Sequence, residues 1–117
     1  MKKILIVDDD TDMLFMLKKA LKEHGFSVTA LADGSAVLRT IEQVRPDVII
    51  LDIHMPPWDG RSICLDVKNN IAFQEIPVVL YSALQEDKSA VNDCKANRFL
   101  QKPLSTGAFI DEIKSII

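Results

Sequence analysis

The chain has 117 residues, the length of one domain, so a single domain over residues 1–117 is expected and a two-domain regulator or multidomain enzyme within it is excluded. Hydrophobic residues make up 48% and charged residues 26%, close to the globular norm, which excludes a disordered segment. Seventeen acids against fourteen bases leave a net charge of −3, the wrong sign for direct nucleic-acid binding.

Met1-Lys2-Lys3 followed by Ile4-Leu5-Ile6-Val7 imitates a signal peptide, but Asp8 ends the apolar run after four residues. An exported leader needs roughly 7–15. No export signal or membrane span follows, and a cytoplasmic location is expected. Ile4 to Val7 instead reads as a strand buried on both faces. Met13, Met16, Leu17, Ala20 and Leu21 recur at helical spacing, with Asp10 or Thr11 as the cap and Gly25 as the left-handed stop. Phe26 to Leu31 predicts a second strand. Ser35 to Val44 predicts a helix with Val37, Leu38, Ile41 and Val44 on one face, ended by Pro46.

Asp47 to Asp52 repeats the buried-strand pattern and also ends at a carboxylate. Pro56, Pro57 and Gly60 predict a loop, then a helix carrying Ile63, Val67 and Ile71. Pro77 to Ser82 predicts the fourth strand, with proline at its tolerated first position. Gln85 to Lys95 predicts a weak, polar helix with only Ala90, Val91 and Cys94 apolar. Arg98 to Gln101 is a short fifth strand, and Phe109, Ile113 and Ile116 mark a closing helix. Cys64 and Cys94 have no metal-ligand spacing and read as small buried apolar residues.

Strict alternation of strand and helix predicts an α/β fold with a doubly wound parallel sheet of five strands covered by five helices. Ligands in such sheets bind outside the carboxyl ends of the strands. There the topology gathers Asp8, Asp9 and Asp10, then Asp52, Ser82 and Lys102-Pro103. Crowded carboxylates repel one another and ionise less readily unless a cation neutralises them. An oxygen-only cluster suits Mg²⁺ and offers nothing soft for zinc.

Ile4 to Asp10, Asp52 with Met55-Pro56 and Asp59-Gly60 after it, Ser82-Ala83 and Lys102-Pro103 form an ordered set over nearly the whole chain. In this set the sequence resembles the receiver domain of bacterial two-component response regulators, chemotaxis receivers among them. The resemblance implies a flavodoxin-like strand order, 2-1-3-4-5. It implies that Asp52 is the phosphoacceptor, taking a phosphoryl group from a phosphohistidine. Asp9, Asp52 and the backbone carbonyl of His54 would ligate Mg²⁺, and Asp8 would act mainly through a metal-bound water. Lys102 and the Ser82 hydroxyl would meet phosphoryl oxygens, and Lys102-Pro103 would be cis. Phe99 would be the aromatic switch that remodels the surface of the fourth helix, fifth strand and fifth helix when Ser82 moves.

The implied partners are a sensor histidine kinase or histidine phosphotransfer protein, and a downstream protein effector or an output domain absent from this chain. The implied role is a signalling phosphoacceptor that assists its own phosphorylation and dephosphorylation, not an enzyme. His54 and Leu84 would flank the phosphoryl group and control hydrolytic water. Asp59 reads as a helix cap, and His24 as a complement to the carboxyl end of the first helix. Lys95-Ala96 stands where the family usually has Gly-Ala, so the fourth helix lacks its favoured stop. Lys88, Lys95 and Arg98 would suit an acidic protein partner or stand as a solvated face.

Three alternatives stay open on sequence alone. Asp8-Asp9-Asp10-Thr11 mimics the Asp-x-Asp motif of a small haloacid-dehalogenase-like phosphatase, although the fourth strand ends in Ser82-Ala83-Leu84 where that family needs a late acidic pair. A flavodoxin-like FMN binder would need a Ser/Thr- or Gly-rich phosphate cradle, which Asp8 to Asp10 would repel. A pseudo-receiver that binds partners without phosphorylation would have no use for the complete acidic, hydroxyl and lysine set.

Overall fold

The apolar runs beginning at Ile4, Val48 and Val78 form the centre of one parallel sheet. In the computed structural model, which describes residues 1–117, the strands are β1 (Lys3–Val7), β2 (Ser27–Leu31), β3 (Val48–Asp52), β4 (Val78–Ser82) and β5 (Arg98–Gln101). They lie in the order β2-β1-β3-β4-β5, all parallel, as expected. Every residue of β3 and β4 is buried, so neither face of the sheet centre meets water.

Successive side chains of a strand alternate between faces, and the core accordingly divides in two. Ile4, Ile6, Ile50 and Tyr81 pack with Leu14, Leu17 and Leu21 of α1 (Thr11–Glu23) and with Phe109 and Ile113 of α5 (Thr106–Ile116). Leu5, Val7, Leu51 and Leu80 pack with Val37 and Ile41 of α2 (Val37–Val44) and with Ile63, Cys64 and Val67 of α3 (Gly60–Lys68). Full burial of each such side chain contributes roughly 1.5–3 kcal/mol. Both cysteines are free and buried. No helix is long and apolar enough to cross a membrane.

Local signals set most of the boundaries. Asp10 caps α1 by accepting from the Met13 amide at 3.1 Å, and Gly25 follows it at φ +88°. His24 places Nδ1 2.9 Å from the Ala20 carbonyl, as expected at a helix carboxyl end. Asp59 caps α3 through the Arg61 amide at 2.8 Å. Both Lys102-Pro103 and Pro56-Pro57 are cis, and the loop around the second pair closes into a small antiparallel hairpin of His54–Met55 with Trp58–Asp59.

Three expectations are corrected. The second helix begins at Val37 and not Ser35, because Asp33 accepts from both the Ser35 amide at 2.8 Å and its hydroxyl at 2.6 Å, holding Ser35 in a turn. Leu38 is 41% exposed, so Val37 and Ile41 carry the apolar face. Ile71 belongs to no helix and is 88% exposed: α3 stops at Lys68, and Asn70 turns the chain by accepting from the Ala72 amide.

The third correction bears on the site. Gln85 to Lys95 is not one helix but a 3₁₀ turn, Gln85–Ser89, followed by a single α turn, α4 (Ala90–Asp93). It lacks the apolar stripe that would dock a longer helix, and Asp87 turns inward instead of out to solvent. Lys95 adopts φ +64° where the sequence offered no glycine, so the left-handed stop is made by a lysine.

Candidate functional site

β1 and β3 are neighbours, with Val7 opposite Leu51, so the residues that follow their ends converge. Asp8, Asp9 and Asp52 each offer a carboxylate oxygen, and these atoms lie within 4.8 Å of one another. Asp8 is 2% exposed and Asp52 7% exposed, while Asp9 is open to solvent. β5 brings in the cation: Lys102 Nζ is 2.8 Å from Asp8 Oδ2 and 3.6 Å from Asp52 Oδ1. The Lys102 amide also donates to the Ser82 carbonyl at 2.8 Å, tying the loop after β5 to the end of β4.

The three acids are not equivalent. Both Asp8 oxygens are engaged, Oδ1 by the Asp10 amide at 2.9 Å and Oδ2 by Lys102. Asp52 meets Lys102 only at the longer distance of 3.6 Å. Burial, and then the charges of Asp8 and Asp9, push its carboxyl up from the ordinary 3.8 to about 6 against the pull of Lys102. Burial works against charge on Lys102, but its hydrogen bond to Asp8 and the charges of Asp8 and Asp52 outweigh this and raise its pKa. The cluster therefore holds an excess of negative charge in a hard, all-oxygen donor set. That composition suits a hard divalent cation such as Mg²⁺.

Metal-free Asp52→Asn is expected to be more heat-stable than the wild type at pH 7.5, by roughly 3 °C. The sign follows from the raised pKa: the native state binds the Asp52 proton more tightly than the unfolded chain, so wild-type stability falls as pH climbs from about 4 through about 6. The advantage of asparagine should vanish near pH 4. Thermal unfolding in chelator across that range checks it.

Gly60 backs Asp52. A Cβ there would run into the Asp52 carbonyl, and the Gly60 amide donates to the Ile53 carbonyl at 2.8 Å. Gly60→Ala should displace the Asp52 backbone and cost about 2–3 kcal/mol, measurable by urea unfolding.

Ser82 is fully buried and sits at the end of β4 as expected, but its hydroxyl donates to Asp87 Oδ2 at 2.6 Å. The His54 ring is likewise engaged, with Nε2 2.7 Å from the same Asp87 oxygen, so its side chain faces a carboxylate and no metal ligand. Burial would raise the Asp87 pKa, yet the hydrogen bonds from Ser82 and His54 hold it below the ordinary carboxylate value. Asp87 is the site residue that sequence reasoning missed, since a carboxylate in a polar segment carries no mark of burial. Phe99 is half-buried and lines a groove of about 500 Å³ with Lys88, Val91, Asn92 and Arg98. Of the three basic residues considered for that face, Lys95 bonds Asn69, and Arg98 bonds Glu112 and Ser115.

A family model described as the response regulator receiver domain matches residues 4–114. The chain is similar to the transcriptional regulatory protein PrrA of Mycobacterium tuberculosis, with 33% identity over 117 residues, covering 98% of this chain and 49% of PrrA. It spans about half the length of the curated relatives it matches. Among solved structures it is similar to the chemotaxis protein CheY4 of Vibrio cholerae, with a TM-score of 0.92, 26% identity, and coverage of 100% of this chain and 99% of that one. It is also similar to the BeF3-activated DrrB receiver domain, with a TM-score of 0.86, 25% identity, and coverage of 99% and 97%.

Proposed function

Because the chain belongs to the response regulator receiver domain family, we propose that it is the phosphoacceptor of a two-component phosphorelay and that Asp52 is the residue phosphorylated. The observation that carries this reading is the placement of Asp52 between two other carboxylates and a lysine at the carboxyl edge of the sheet. Asp52 combines a loose 3.6 Å pairing to Lys102 with raised basicity, two properties that suit a nucleophile. The match to the receiver family lends the haloacid-dehalogenase-like phosphatase no support.

The donor is the phosphohistidine of a sensor histidine kinase or a histidine phosphotransfer protein. An Asp52 oxygen bonds to phosphorus while the phosphorus–nitrogen bond breaks, and the imidazole leaves with the bonding pair and takes up a proton. Asp9, Asp52 and the His54 backbone carbonyl would hold Mg²⁺, with Asp8 behind them. When bound, Mg²⁺ neutralises the repulsion between the acidic cluster and the incoming phosphoryl oxygens. Lys102 stabilises charge on a phosphoryl oxygen, and the buried Ser82 hydroxyl donates to another. The product is a covalent signal, not a turned-over substrate, so the protein acts as a switch and not as an enzyme.

Output runs through protein contact at the surface formed by α4, β5 and α5, with Phe99 reporting the position of Ser82. The receiver occupies residues 1–117 and works in the cytoplasm, beside either a separate effector or an output domain such as its transcriptional relatives carry. Incubation with Mg²⁺ and acetyl phosphate, followed by intact-mass measurement, tests the reading. A gain of one phosphoryl group is expected; an unchanged mass across donors and pH would sink it.

A further inference from the structure

Asp87 gathers two residues from different elements, the end of β4 and the small hairpin, on one oxygen. Oδ2 accepts from Ser82 Oγ at 2.6 Å and lies 2.7 Å from His54 Nε2. The first distance is that of a charge-assisted O–H···O⁻ bond, among the stronger hydrogen bonds in proteins. A serine hydroxyl has one proton to give. The Ser82 side chain also has no water to turn to, being 0% exposed, and its oxygen already accepts from the Leu84 amide at 3.2 Å. The proton therefore has two possible destinations, Asp87 or a phosphoryl oxygen on Asp52, and cannot serve both. The His54 ring differs, because with 48% of its side chain exposed it can hydrate when released.

We propose that Asp87 is the resting-state latch of this receiver, a positioning residue that commits the Ser82 proton to itself, so that the phosphorylated state forms only when the bond breaks. The inference rests on Asp52 being the phosphoacceptor. Asp87 lies in the Gln85–Ser89 turn that leads directly into α4, a segment with a single α turn and few apolar anchors. Losing Ser82 removes one of the two bonds that hold the turn inward. The latch thus links the state of the acceptor to the α4 surface by a path separate from Phe99.

Removing the latch should shift the equilibrium towards the active arrangement. In Asp87→Ala the Ser82 hydroxyl is orphaned in the resting state and satisfied only when a phosphoryl-like group is present, which penalises the resting state alone. The experiment measures beryllofluoride affinity in Mg²⁺ by calorimetry for wild type, Asp87→Ala, Ser82→Ala and the double variant. Asp87→Ala is expected to bind about tenfold more tightly than wild type, and the gain is expected to disappear when Ser82 is alanine. Asp87→Asn, which keeps the shape and a weaker acceptor, should bind about threefold more tightly and serves if the alanine variant does not fold. Unchanged or weaker binding in the folded Asp87 variants, or a gain that persists without Ser82, would overturn the latch. Wild type that fails to bind beryllofluoride at all would instead overturn the phosphoacceptor reading, and the latch with it.

Discussion

Asp52→Asn is expected to take up no phosphoryl group from acetyl phosphate in Mg²⁺, at least ~100-fold below wild type by intact mass, while keeping its fold. Three carboxylates stand within 4.8 Å, so the choice of Asp52 needs a reason beyond proximity. Asp8 has one oxygen on the Asp10 amide and the other on Lys102, so using it as nucleophile would break a buried ion pair first. Asp9 is exposed to solvent and is not held in a fixed position by the fold's interior. Asp52, raised to about 6, is still mostly ionised at pH 7.5 yet more basic than an ordinary carboxylate. An asparagine amide has no comparable nucleophilic oxygen. An adduct that survives in Asp52→Asn and disappears in Asp9→Asn would move the chemistry to Asp9.

What could be read from sequence was whatever burial or backbone geometry imposes on residue type. Ile4 to Val7 and Val48 to Leu51 announce a doubly covered parallel strand, because only such a strand needs apolar residues on both faces. Once the sheet is parallel, Asp8, Asp52, Ser82 and Lys102 must meet at its carboxyl edge, so the site could be assembled without coordinates. The partners of those residues could not. Nothing about Asp87 distinguishes it from its solvated neighbour Glu86 until the chain folds and one turns inward. The length of the fourth helix was hidden for the same reason: a few polar residues support a 3₁₀ turn and an α turn almost equally, and tertiary contacts decide. Ile71 misled in the opposite direction, fitting a helical period that the Asn70 turn had already ended.

Lys102→Gln is expected to slow phosphorylation about 100-fold and at the same time to bind Mg²⁺ about tenfold more tightly, two effects of opposite sign from one lost charge. Lys102 is the cation of the cluster, 2.8 Å from Asp8 and 3.6 Å from Asp52, and it offsets charge that a metal would otherwise neutralise alone. At an effective dielectric of about 20, unit charges 4 Å apart interact by about 4 kcal/mol, and screening leaves part of that as metal affinity. Glutamine keeps most of the volume and a hydrogen-bond donor, so the cavity left behind is small. The slowing arises because a phosphoryl group in transit spreads charge over its equatorial oxygens, and a neutral amide stabilises that charge far less than an ammonium. Calorimetry with Mg²⁺ and a time course by intact mass separate the two effects. A general disruption of the site would weaken metal binding and phosphorylation together, and parallel loss of both would refute the charge-compensating role of Lys102.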